Sequence, residues 1–298
     1  MKIEKFQFGF VPALGTPLDA AGNLLAESYA KQICCMLDHG AVALLSMGSM
    51  GQQAFLRNEV CVQVAETAVR TAAGRVPVFV GVMDNSISRA KERMASMEHL
   101  ALDAFVLTTP YYEIDTADQV LKYFYEAGSS TKHGLLLYDL PGVTKFKITY
   151  DMVCRLHERL PNFCGIKSAD LAMLRKIRLN PELQDLSLFY SGLDTFDVAY
   201  PWGVGCILDG MFTCTPENGR KLVAAMKAGD RAEAAAALNR ILLFRDSMLD
   251  WDLWPAYSHA MNLLGFEGLH APDWVTPVSP EIQEKVRRVM IEIGELPA

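Results

Sequence analysis

The chain has no run of about 18 consecutive apolar residues, so no membrane-spanning helix is expected. It also lacks an excess of positive charge. With 28 Lys and Arg against 35 Asp and Glu, the net charge is −7, which argues against a nucleic-acid partner. The basic clusters Arg175–Arg178 and Lys285–Arg288 sit in helical patterns and read as solvated faces. Histidine is sparse and scattered. His39, His99, His133, His157, His259 and His270 form no H-x-x-x-H pair and no mixed Cys/His ligand spacing, so no metal is expected. No C-x-x-C pair occurs among the seven cysteines (Cys34, Cys35, Cys61, Cys154, Cys164, Cys206, Cys214), as suits free thiols in a reducing compartment. Cys214, in an expected loop near a strand end, stays open as a nucleophile. There is no G-x-x-x-x-G-K-[ST] loop for a nucleotide phosphate. The opening MKIEKFQFGF has no apolar segment long enough for an export signal, and a cytoplasmic location is expected.

What the 298 residues do contain is alternation. Short β-rich runs recur: VPAL (11–14), AVALLSM (41–47), VPVFVGV (76–82), AFVLTTP (104–110), GLLLYDL (134–140), FCGIKS (163–168), SLFYSG (187–192) and CILDGM (206–211). They are near-continuous apolar runs, as parallel strands covered on both faces require. Helical patterns lie between them, such as SYAKQICCMLDHG (28–40) with Gly40 as its stop. Strand and helix repeating in this way predict one α/β (β/α)8 TIM barrel over residues 1–229, with an open doubly wound sheet as the alternative. After about residue 230 the strands cease. DRAEAAAALNRILLFRDSML, 251–264 and 281–295 read as helices, so 230–298 is expected to be a helical extension packed on the barrel.

Barrel enzymes carry their chemistry at the C-terminal ends of the strands. There the sixth run, FCGIKSAD, sets Lys167 in an otherwise apolar strand. An amine desolvated by apolar neighbours is more readily neutral and can attack a carbonyl, and the resulting imine withdraws electrons from the adjacent carbon. A lysine snorkelling to the rim would also fit. Tyr138, in YDLP at the end of the neighbouring strand, brings a phenol within reach of such an imine. GSMG (48–51) resembles a backbone nest entering a helix, where N–H groups and the Ser49 hydroxyl could hold a carboxylate. Together they suggest a 2-oxo acid site, with the carbonyl on Lys167 and proton transfer by Tyr138.

The ordered set of GSMG, PYY (110–112), YDLP and GIK, with ALGTPLDAAGNL, VPVFVGVMDNS and YSGLD, resembles the pyruvate-dependent class I aldolase family that includes dihydrodipicolinate synthase and N-acetylneuraminate lyase. The resemblance spans about residues 7–230. It implies that Lys167 is the Schiff-base lysine, Tyr138 the acid/base tyrosine and Ser49 the relay hydroxyl. It implies further that Tyr112 is inserted across a subunit interface of a homotetramer, and that no cofactor is needed. Gly48, Met50, Val143, Asp194 and Leu208 fall at substrate-binding positions.

Departures from the family pattern narrow the substrate. Met50 replaces a usual threonine, Gln52 a glutamate, and Ala169 a threonine. Val143 stands where dihydrodipicolinate synthases carry an arginine for the second substrate's carboxylate, which argues against that activity. Asp194 matches a hydroxyl-binding position of sialic acid lyases, but Thr195 replaces the glutamate beside it. The expected function is therefore cleavage or formation of a C–C bond in a 2-oxo-4-hydroxy acid, with pyruvate and an aldehyde as the small-molecule partners. A dehydratase using the same imine is the alternative. Met50 and Gln52 motivate a third possibility, a non-catalytic keto-acid sensor.

Overall fold

The structure is a computed structural model that describes residues 8–113 and 116–298. MKIEKFQ, most of the segment read as lacking an export signal, lies outside the described residues. All eight expected strands are present: β1 (Gly9–Pro12), β2 (Leu44–Ser46), β3 (Val78–Gly81), β4 (Ala104–Thr108), β5 (Gly134–Tyr138), β6 (Phe163–Ser168), β7 (Ser187–Tyr190) and β8 (Cys206–Asp209). Helices follow them in alternation, and the fold is a (β/α)8 barrel with a C-terminal helical extension. Most strands are shorter than their apolar runs, because the flanking residues turn toward the next helix. Among the described residues, no helix is long and apolar enough to cross a membrane.

The chain divides into two compact units. The first holds Phe8 and Val78–Leu208, with β3 to β7 and most of β8 in sequential parallel order. Its strands are buried along their whole lengths up to Leu208, and Phe79 meets Phe189 edge-on with centroids 5.3 Å apart. Gly165 shows how tightly β6 and β7 pair. A Cβ there would stand 2.2 Å from the Ser187 carbonyl oxygen, so only glycine lets the strands close two residues before Lys167.

The second unit holds Gly9–Pro77 and Asp209–Ala298. In it Ala13 bridges Leu45 in parallel, and the helices Arg231–Asp250, Leu253–Leu263 and Pro280–Glu292 pack in sequence after helix Pro216–Ala228. Glu295 returns to cap that last helix, accepting from the Glu217 and Asn218 amides at 3.2 and 2.9 Å. Tyr257 is fully buried and donates to Thr213, whose hydroxyl in turn donates to the Gly210 carbonyl.

His270 makes this unit acid-sensitive. Its Nε2–H donates to the Phe266 carbonyl at 2.9 Å, while Nδ1 is buried with no hydrogen-bond partner among the described residues. Burial pushes the imidazole down from 6.5 to about 4. The unfolded chain therefore binds the proton between these values and the folded chain does not. Stability from this group is complete above pH 6.5 and falls as pH drops toward 4, by on the order of 3 kcal/mol. Urea melts across that window should show the loss. His270→Gln, which can still donate to Phe266 but does not titrate, should flatten the slope, and an unchanged slope would refute the assignment.

Candidate active site

β5 delivers an unbroken apolar run, GLLLY, and ends where Pro141 starts the short helix Pro141–Thr144. Tyr138 is therefore the last residue of the strand. In the β5–β6 ladder its Cα partner is Lys167, the penultimate residue of β6. The two side chains meet: the Lys167 Nζ lies 3.9 Å from the centroid of the Tyr138 ring. Both are buried, at 5% and 6% exposure, so the amine is removed from bulk water and lies against a π face. An amine that can add to a carbonyl beside a phenol that can move a proton is the working part of an imine-forming site.

Side chains alternate along a strand, so the residues after Tyr138 and Lys167 face away from this pair. There the Ser168 hydroxyl donates to Asp139 Oδ2 at 2.7 Å, and the Ile148 amide donates to Oδ1 at 3.0 Å. Lys147 Nζ contacts the same Asp139 carboxylate, lies 3.3 Å from Asp170 and donates to the Ile148 carbonyl at 3.2 Å. Asp170 also caps helix Leu171–Leu179 by accepting from the Met173 amide. Asp139 and Lys147 went unnoticed in the sequence. Their only signal is an acid and a base eight positions apart across a loop, with no helical or strand period to link them.

The other expected residues of the first unit are less gathered. Val143 lies in the helix Pro141–Thr144 and is 61% exposed. Asp194 is exposed in a 3-10 turn, Leu193–Thr195, and the Thr195 hydroxyl pairs with the Tyr190 hydroxyl. Leu208 is wholly buried in β8. Tyr112 is 89% exposed, on a loop whose Tyr111 and Tyr112 amides both donate to Asn85 Oδ1, at 2.7 and 3.0 Å.

In the second unit, Gly48–Gln52 forms turns and does not enter a helix directly, contrary to expectation: the next helix begins at Asn58. Left-handed φ angles of 53° at Met47 and 60° at Gln52 bracket the turn, and the Thr16 hydroxyl donates to the Gly51 carbonyl at 2.7 Å. Ser49 is exposed, Gly48 is buried, and Met50 packs against Gly210 so closely that a Cβ there would stand 2.2 Å from Met50 Cγ. Thr213, after β8, is fully buried in the bond to Tyr257. The surroundings of Cys214 disfavour a nucleophilic thiolate. The residue is completely buried, and desolvation raises its thiol well above the usual range.

The profile of the dihydrodipicolinate synthetase family matches residues 7–293. The 4-hydroxy-tetrahydrodipicolinate synthase of Stutzerimonas stutzeri (strain A1501) is 32% identical, over 97% of this chain and 99% of its own. Among solved structures, Proteus mirabilis N-acetylneuraminate lyase superposes with a TM-score of 0.89 at 18% identity, covering 98% of this chain and all of the lyase. YagE, a prophage protein of the dihydrodipicolinic acid synthase family from E. coli K12 seen in complex with pyruvate, gives 0.86 at 21% identity, over 96% of this chain and 98% of YagE.

Proposed function

The chain belongs to the dihydrodipicolinate synthetase family, whose members are class I, Schiff-base-forming aldolases and lyases, and from that premise we propose that it cleaves a 2-oxo-4-hydroxy acid to pyruvate and an aldehyde. The contact between Lys167 and Tyr138 carries the proposal. Lys167 Nζ adds to the C2 carbonyl, and loss of water leaves a protonated imine. The Tyr138 oxygen accepts the proton of the C4 hydroxyl while its own phenol proton passes to solvent, the C3–C4 bond breaks, and the bonding pair moves into the imine to give an enamine. Protonation at C3 and hydrolysis release pyruvate and restore the free amine. Ser49 and the turn Gly48–Met50 are assigned the relay and the carboxylate. Tyr112 is assigned to a partner subunit of a homotetramer, a role supported by its exposure on a loop fixed at two amides.

Val143 supports the choice of a hydroxylated aldehyde. An apolar side chain there cannot donate to a second carboxylate, and each charge-assisted hydrogen bond lost costs about 1.5–3 kcal/mol, or roughly 10- to 100-fold in affinity. Condensation of pyruvate with aspartate semialdehyde should be negligible, while aldol addition to glyceraldehyde or glycolaldehyde should be measurable. The synthase reading is kept by the 32% identity to a curated synthase. Efficient semialdehyde condensation would establish it and overturn the keto-deoxy acid assignment. Pyruvate release across a panel of keto-deoxy acids separates cleavage from dehydration, because dehydration leaves the carbon skeleton whole.

A further inference from the structure

We infer that Lys147 is a positioning residue whose ion pair with Asp139 fixes the ends of β5 and β6 and so holds Tyr138 and Lys167 in contact. The inference rests on the Schiff-base reading of that pair. Asp139 follows Tyr138 directly and Ser168 follows Lys167 directly, so the Ser168–Asp139 hydrogen bond at 2.7 Å ties the two strands one residue beyond the reacting side chains. The Asp139 amide extends the ladder to the Lys167 carbonyl at 2.9 Å. The Asp139 side chain is 2% exposed, and Lys147 forms an ion pair with it. Asp139 also accepts from the Ile148 amide, so the carboxylate gathers both strand ends and the returning loop at one point. Lys147 reaches on to Asp170, which caps the helix leaving β6. Without the ammonium the buried carboxylate is left uncompensated, and it must move toward water or draw water in. Either change displaces the backbone of Tyr138 and Lys167, and misplacement on the ångström scale is enough to slow a positioned reaction about 100-fold.

The test is a set of three variants of the full chain: Lys147→Met, Lys147→Arg, and the double variant Asp139→Asn with Lys147→Met. The single methionine variant should lose about 10- to 100-fold in kcat with KM little changed. Pyruvate with borohydride should still label Lys167, because the amine itself is untouched. Lys147→Arg should recover most of the rate, having kept the charge. The double variant should recover it too, since a neutral amide at 139 can still accept from the Ile148 amide through its oxygen and donate to the Ser168 hydroxyl through its NH2, with no need of a counter-ion. Wild-type kcat in Lys147→Met would overturn the inference, as would a double variant no better than the single one. If Lys147→Met fails to fold, the double variant decides: a folded, active double variant supports the ion pair, and an inactive one refutes it. Failure of the wild type to label at Lys167 would instead overturn the Schiff-base reading.

Discussion

Lys167→Ala should abolish turnover and remove the borohydride-trapped pyruvate adduct that the unaltered protein forms. The substitution deletes the amine placed against Tyr138, and the covalent path goes with it, because without an imine the electrons of the breaking C3–C4 bond have no sink. The two described lysines of the nearby loop cannot stand in. Lys147 sits behind the strand ends with its Nζ engaged by Asp139, Asp170 and the Ile148 carbonyl. Lys145, across the same loop, donates to the Gly142 carbonyl. Alanine leaves a small buried space beside an intact ring, so the fold should survive and the melting curve should confirm it. Peptide mapping of the reduced adduct is the decisive measurement. A label on any lysine other than Lys167, or residual turnover in the alanine variant, would sink the assignment. A wild-type protein that binds pyruvate without labelling would return the chain to the sensor class.

The fold was legible because parallel strands covered on both faces must be apolar throughout. GLLLY and FCGIKS announce β5 and β6 by composition alone, and FCGIKS matches its strand in full. The C-terminal helices were legible from the loss of such runs after about residue 230. Local backbone geometry was harder to read. GSMG looked like the mouth of a helix because glycine and serine favour such turns, but the left-handed angles at Met47 and Gln52 carry the chain through further turns before Asn58. Cys214 reads as an open loop residue because it follows a strand, and Thr213 stands beside it. Whether such residues are exposed depends on what packs over them, and here Tyr257, from a helix far along the chain, covers Thr213.

The site was legible only in part, for a related reason. A lysine in an apolar strand and a tyrosine ending the next are conspicuous, and parallel pairing in register makes them neighbours. Asp139 and Ser168 were equally close to that pair in sequence, yet each is a common residue at a strand end. Their meaning comes from a hydrogen bond between two strands and from a lysine that returns across a loop, contacts that no period in the sequence encodes.

Tyr138→Phe should separate the two halves of the mechanism. Phenylalanine keeps the ring that faces the Lys167 Nζ at 3.9 Å and removes only the hydroxyl. The packing of β5 and the contact between the Lys167 Nζ and the ring both persist, so the borohydride adduct at Lys167 should form nearly as well as in the unaltered protein. Turnover should fall by about 100-fold or more, the scale of a lost general acid–base group, equivalent to about 3 kcal/mol in the barrier. The loss should appear in kcat, because the phenol is needed as the C4 hydroxyl gives up its proton and not when the keto acid binds. Tyr138→Ala should do worse, having lost both the hydroxyl and the π face that holds the amine. The measurements are kcat, KM and adduct yield on the three proteins under one condition. If the phenylalanine variant turns over at the wild-type rate, Tyr138 positions the lysine and another group moves the proton. If it loses the adduct as well as the rate, the hydroxyl is required to form the imine and the order of events proposed here is wrong.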